Sequence, residues 1–338
     1  MAYGFSVQGF PPLVREFASY KSAIQNCSEK TVSEYLLDLR TFFRYLLARD
    51  AKISLDSEEF DKIDISVVDL DYIKNITTED IYEFLLYSDS VRGNHASARS
   101  RKLSALKGFF KYLTVKRMML EENPVANIES PKNSKALPKY LSLEESLELL
   151  AAVRNDRESD NRVRDYAIIT LFLNCGMRVS ELVGIDINDV DRFLRSLTVT
   201  GKGNKQRIVY LNDACREALG DYMTERLEGK YAKANTRALF LSSREQRISV
   251  KTVQWMVYKY LDMAGLESKH YSVHKLRHTA ATLMYQTGNV DVRVLKDILG
   301  HEQLNTTQIY THVSNRSMEE AMAQNPLATQ KPTEDKED

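Results

Sequence analysis

The second half of the chain gathers the residue types that phosphoryl chemistry needs. His274, Arg277 and His278 stand at i, i+3 and i+4 of a predicted helix, so they share one face and the first two can reach one phosphate. Leu299-Gly300-His301 follows, and Tyr310 stands nine positions after His301 in the polar run Asn305-Thr306-Thr307-Gln308-Ile309-Tyr310-Thr311-His312. Upstream, Arg178 lies in Cys175-Gly176-Met177-Arg178-Val179-Ser180-Glu181-Leu182, and Lys202 sits between the glycines of Gly201-Lys202-Gly203-Asn204-Lys205-Gln206. Breaking a phosphodiester without a metal requires a nucleophile, cations for the charge of the pentacoordinate transition state, and a proton donor for the departing oxygen. This set offers a candidate for each.

Taken singly, every member has a plainer role. His-x-x-Arg is usually an incidental surface pair, and an Arg at a helix junction can cap carbonyls. A Lys between glycines is turn chemistry, and a lone Tyr is amphipathic packing. The i, i+4 spacing of His274 and His278 could also suit zinc, but the Glu of a His-Glu-x-x-His motif is missing, Arg277 opposes a cation and no third ligand is evident. No metal or cofactor is expected.

The elements that must position these residues are mostly helical. Ser142 with Glu145 forms a capping box ahead of Leu147, Leu149, Leu150 and Val153. A helix is predicted from about Asp165 to Asn174 with Gly176 as its C-terminal cap, and others at about Val250 to Ala264, His274 to Gln286 and Val292 to Leu299. The last two end at Gly288 and Gly300, both suited to left-handed caps. Between them the period changes: Leu197, Val199, Ile208, Tyr210 and Leu211 read as two strands joined by the Gly201–Gln206 turn.

In the first half, Tyr35, Leu36, Leu39, Phe42, Phe43, Leu46 and Leu47 recur at three- and four-residue steps and mark one apolar face. Thr77 with Asp80 is a second capping box, opening a helix from Ile81 to Tyr87. A further helix around Ser100 to Val115 buries Leu103, Leu106, Phe109, Phe110 and Leu113 and sends Arg101, Lys107 and Lys111 elsewhere. Pro124, Pro131 and Pro138 fall in a polar stretch, 123–140, that reads as an interdomain linker. The expected organisation is a helical domain over 1–122, this linker, a second domain over 141–325 and a disordered tail over 326–338.

Composition adds direction. Formal net charge is zero, which argues at first against a polyanionic partner, yet no Asp or Glu occurs from Ser90 to Leu120 while Arg99, Arg101, Lys102, Lys107 and Lys111 all do. A solvated face usually mixes signs, so these five are candidate contacts to DNA phosphates. An acidic stretch, about 51–75, lies just upstream and has no assigned function. The three cysteines, Cys27, Cys175 and Cys215, are widely spaced and odd in number, which suits reduced thiols and a cytoplasmic setting. No segment approaches the ~18 apolar residues of a membrane span, so no membrane partner is expected.

Five segments together resemble the catalytic boxes of the tyrosine recombinases, in that family's order and spacing: Gly176–Leu182, Gly201–Lys205, His274–His278, Leu299–His301 and Tyr310-Thr311-His312-Val313. The likeness is nearest to the Xer subgroup. It runs strongly from Leu141 to about Met322 and more loosely over the basic helical N-terminal part. The resemblance implies a mainly α fold with a small antiparallel β-sheet, arranged as a two-domain C-shaped clamp of a core-binding domain and an α+β catalytic domain. It further implies that Tyr310 attacks the scissile phosphate to give a 3′-phosphotyrosyl link and a 5′-hydroxyl. In that scheme Arg178 and Arg277 bind the non-bridging oxygens, Lys202 protonates the leaving 5′-oxygen, His274 accepts the tyrosine proton or orients the phosphate, His301 donates a hydrogen bond to it, and Glu181 supports Arg178 or His274.

Expected partners are double-stranded DNA with specific recombination sites, a homo- or hetero-tetramer on that DNA, and an accessory regulator such as a DNA translocase. The role implied is resolution of chromosome or plasmid dimers, with integration or excision of a mobile element as the alternative. The segment 314–323 is expected to be helical and to dock on a neighbouring protomer. Topoisomerase-like nicking is disfavoured by the short chain and the Xer-like boxes, and a non-catalytic DNA-binding regulator by the completeness of those boxes.

Overall fold

Capping signals legible in the sequence set the helix starts in a computed structural model that describes residues 7–131, 139–286 and 290–300, with Lys202 given by its backbone. The chain divides into two units, Met1–Lys135 and Ala136–Asp338.

The first unit is helical: α1 (Pro12–Ala23), α2 (Glu29–Asp50), α3 (Glu58–Lys62), α4 (Leu70–Lys74), α5 (Thr78–Ser90) and α6 (Ala96–Lys111), the last running on into a π-helical turn over Tyr112–Lys116. Thr77 and Asp80 form the expected reciprocal cap of α5. The α2 stripe of Leu36, Leu39, Phe42, Phe43 and Leu46 meets Leu103, Leu106, Phe109 and Phe110 of α6 in one core. The acidic stretch joins the same core through Phe60, Ile65, Val68 and Ile73. Its charges face water while every third to fifth position is apolar, so it folds as two short helices rather than as a loose loop. Val125 and Ile128, inside the stretch read as linker, are also buried there. The hydroxyl of Thr78 donates to the carbonyl of Pro124 at 2.8 Å.

The second unit holds α7 (Leu143–Asn155), α8 (Arg162–Cys175), α9 (Val179–Gly184), β1 (Ser196–Thr200), β2 (Gln206–Tyr210), α10 (Asp213–Leu227), α11 (Val250–Met263), α12 (Val273–Gln286) and α13 (Val292–Leu299). Ser142 and Glu145 cap α7 reciprocally. The central element is α8, whose Ala167, Ile168, Ile169, Leu171 and Phe172 are all buried; it packs against α7, α10 and α12. A helix buried all round from Ala167 to Leu173 is held on every side, and this fixes where its last residue ends. There Gly176 adopts φ +58°, and a Cβ on it would lie 2.8 Å from Leu299 Cδ2. Only glycine lets the end of α8 touch α13 and still turn left-handed.

The antiparallel pair β1–β2 runs in register from Ser196 opposite Tyr210 to Thr200 opposite Gln206, with Val199 opposite Arg207. Gly201 N–H donates to the Lys205 carbonyl at 2.7 Å and closes the loop that carries Lys202. The fold class expected from the sequence, mainly α with one small antiparallel sheet, is the one found. Among the described residues no helix is long and apolar enough to cross a membrane.

Candidate active site

The residues from three of the five sequence boxes meet where the ends of α8 and α13 approach each other. Arg277, on the inner face of α12 and buried, donates from Nη1 to the Gly176 carbonyl and from Nη2 to the Leu299 carbonyl, each at 2.7 Å. Both acceptors belong to helix ends finished by left-handed glycines, since Gly300 has φ +65°. Helix ends present unpaired carbonyls, and a guanidinium satisfies two of them at once. Arg178 precedes α9 and is partly open to solvent. It donates from Nη1 to Glu181 Oε1 at 2.7 Å and from Nη2 to the Gly300 carbonyl at 3.0 Å. Its backbone N–H donates to Glu181 Oε2 at 2.8 Å. Carbonyl capping, the plainer role for an Arg at a helix junction, is therefore observed for both arginines, and it gathers them around one turn.

His274 and His278 face each other one turn apart, ring centroids 4.6 Å apart and nearly perpendicular. Partial burial and then the charges of Arg277, Lys275 and Arg178 hold the His274 imidazole below its ordinary range, although its outer edge is exposed. Burial, followed by His274, Lys275 and Arg277, brings His278 to about 4. A neutral His274 keeps a lone pair able to take a proton, which a base needs. Lys202 lies on the β1–β2 loop, whose Gly201 comes close to Glu181: a Cβ on Gly201 would be 3.3 Å from Glu181 Oε1. His301, Tyr310 and the segment 314–323 lie outside the described residues, as does Gly288. Glu181 is 2% exposed and accepts from two arginines, the second being Arg207.

Arg207 was not among the sequence candidates. The signal for it is period two: in β2, Ile208 and Tyr210 are exposed and Val209 is buried, so Arg207 shares the inward face with Val209. Among the described residues no group of three His, Cys, Asp or Glu is placed to hold a metal ion.

The phage integrase family matches residues 139–317, more than half of the 338 residues. The chain belongs to that family, the tyrosine recombinases. Its activity class is DNA strand cleavage and rejoining. The phage integrase N-terminal SAM-like domain matches residues 65–117. The tyrosine recombinase XerC of Caldanaerobacter subterraneus subsp. tengcongensis is 49% identical over 319 residues, covering 94% of this chain and 88% of its own. XerC of Syntrophus aciditrophicus is 35% identical over 314 residues, covering 90% and 94%. Among solved structures, the XerH site-specific recombinase bound to palindromic difH substrate in a post-cleavage complex has TM-score 0.67 at 24% identity, covering 96% of this chain and 99% of that one. The likeness to that structure is one of fold.

In the recombinase's first unit the cationic candidates separate. Lys102 is buried, and its ammonium donates to Asp38 Oδ1 at 3.2 Å. This corrects its place among the DNA contacts, because a buried ammonium neutralised by a buried carboxylate presents no charge to a phosphate. Arg101 pairs with Asp38 at 2.6 Å and with Glu34 at 2.8 Å, and Arg99 pairs with Asp89. The acids missing from 90–120 are thus supplied by α2 and by the end of α5. Among the described residues Lys107 and Lys111 carry no ion pair, and Lys111 is exposed.

Proposed function

We propose that this chain is a Xer-type site-specific recombinase that exchanges DNA strands through a phosphotyrosine at Tyr310. The observation that carries the reading is the convergence of Arg178 and Arg277, 99 positions apart in the sequence, on the carbonyls of Leu299 and Gly300, immediately before His301 and within reach in sequence of Tyr310. Two guanidiniums at one turn suit the two non-bridging oxygens of a phosphate, because the planar fork matches that geometry. Identity of 49% to a XerC over nearly the whole chain supports the Xer-type reading over integration of a mobile element.

In the reaction so assigned, the Tyr310 hydroxyl gives its proton to His274 as its oxygen forms the bond to phosphorus. The bond from phosphorus to the 5′-oxygen breaks, and Lys202 protonates that oxygen. His301 donates a hydrogen bond to the phosphate. The phosphotyrosine keeps the energy of the broken bond, so rejoining needs no nucleotide and direction comes from sites or partners. The partner is duplex DNA carrying a specific site, bound by Lys107 and Lys111 of α6 among others, with four protomers assembling on two sites and an accessory DNA translocase setting when exchange occurs. The segment 314–323 docks on the neighbouring protomer.

The test is exchange between two sites on one plasmid, the site having been selected by the purified protein from a randomised duplex pool. Two smaller circles are expected. A ladder of relaxed topoisomers without exchange would replace this reading with topoisomerase-like nicking.

A further inference from the structure

We propose that Arg207 is a positioning residue of the recombinase, closing a ring with Glu181, Arg178 and Gly300 that holds Arg178 ready for the phosphate. The inference rests on the role proposed above for Arg178. Arg207 lies opposite Val199 in the sheet, on the inward face of β2, with its side chain 17% exposed. An apolar residue there would pack beside Val209 at no polar cost. Instead a guanidinium is kept inside, and among the described residues its Nε and Nη1 are buried without a hydrogen-bond partner. Burying unpaired N–H groups of a charged side chain is costly, so a side chain retained under that cost has work other than packing.

The ring gives that work a geometry. Arg207 Nη2 donates to Glu181 Oε2 at 3.0 Å, and the other oxygen of Glu181 takes Arg178 Nη1 at 2.7 Å. Arg178 in turn holds the Gly300 carbonyl at 3.0 Å. Gly300 returns to Arg207, for a Cβ on it would lie 2.6 Å from Nε and 2.9 Å from Cδ. One carboxylate shared between two guanidiniums leaves the pair with net positive charge, so Arg178 stays an effective anion partner while Glu181 fixes its direction. Because Arg207 follows the Gly201–Lys205 loop by two residues, the ring also ties the base of that loop to the same carboxylate.

The full-length protein is tested with a nicked suicide duplex carrying its selected site, made once with a phosphate and once with a methylphosphonate at the scissile position. The methylphosphonate lacks one anionic oxygen and so depends less on a guanidinium. Arg207→Met is expected to slow covalent adduct formation about 10- to 100-fold on the phosphate, the range for groups that orient a catalytic ligand. The loss should shrink to about threefold on the methylphosphonate, and Arg207→Lys, which keeps a donor for Glu181, should recover most of the rate. Duplex affinity and thermal midpoint are measured beside each variant. Equal losses on both duplexes, or a loss that follows affinity and midpoint, would show a structural role only and overturn the proposal. So would an Arg207→Met that cleaves as wild type does. A wild type that forms no adduct removes the reaction itself and the proposal with it, an outcome distinct from the others.

Discussion

Arg178 donates from Nη2 to the carbonyl of Gly300 at 3.0 Å, joining residues 122 positions apart. Arg277 takes the carbonyl one residue earlier, that of Leu299, at 2.7 Å. The two arginines assigned to the non-bridging oxygens thus also hold the end of α13, the segment that continues in sequence into His301 and Tyr310. Charge and chain path are set by the same contacts.

Replacing Arg178 with Lys removes the planar fork while keeping the charge. A single ammonium nitrogen then stands in for the two nitrogens that separately serve Glu181 and Gly300. Single-turnover cleavage should fall by about 10²- to 10³-fold, as expected when a charge-stabilising donor is lost, with duplex affinity little changed. A gel-based cleavage time course checks this, and wild-type kinetics in Arg178→Lys would contradict it.

Gly300→Ala and Gly265→Ala separate conformation from contact. Both glycines have positive φ, +65° and +69°, but nothing lies within 4 Å of a Cβ on Gly265 whereas Arg207 blocks one on Gly300. Each should lose about 1–2 kcal/mol from left-handed strain. Gly300→Ala should lose more than that and lose cleavage as well, while Gly265→Ala keeps cleavage. Denaturant unfolding together with the cleavage assay distinguishes them.

Stability should fall as pH drops from about 6.5 toward 4. Burial and neighbouring cations hold His274 below its ordinary range and His278 at about 4. The unfolded imidazoles therefore take protons in this window while the folded ones do not, and the unfolded state gains. Stability from this pair is complete above the unfolded value and is lost on the way down. Urea midpoints between pH 7.5 and 4.5 should show the decline, and His278→Gln should flatten it; a midpoint that rises on acidification would reverse the sign.

The cations of α6 should divide into two classes. Lys102→Met leaves Asp38 buried with Arg101 as its one remaining close cation among the described residues, so it should cost about 3 kcal/mol, the low end for breaking a buried pair. Lys107→Ala and Lys111→Ala should leave stability nearly unchanged. Each should instead lower the slope of log affinity against log salt by about one if it contacts a phosphate. Unchanged slopes in both would remove α6 from the DNA contact surface.

What could be read in the sequence was local. The caps Thr77–Asp80 and Ser142–Glu145, the glycines that end α8 and α13, and the buried stripe of α6 depend on residues within a turn or two of each other. Lys102 misled because its counter-charge, Asp38, is 64 positions away; a window free of acids says nothing about acids on a packed neighbour. Val125 and Ile128 leave only a faint mark in the sequence, since three nearby prolines outweigh two isolated apolar residues. Arg207 is inconspicuous in the sequence because it follows a lysine-bearing loop, whereas strand parity turns it inward. Of the site, the identities of Arg178, His274 and Arg277 were visible as spacing, while the carbonyls that gather them were not, since backbone acceptors leave no mark in a sequence.

A covalent bond between Tyr310 and DNA would be visible as a protein-linked strand. The full-length protein and Tyr310→Phe are each incubated with a nicked suicide duplex carrying the selected site, then resolved by denaturing electrophoresis with either strand end labelled. Wild type should shift the fragment whose 3′ end lies at the cleavage point into a protease-sensitive adduct, release a free 5′-hydroxyl, and do so at a rate that Tyr310→Phe reduces to background. An adduct that persists in Tyr310→Phe, or a protein-linked 5′ end, would contradict the account.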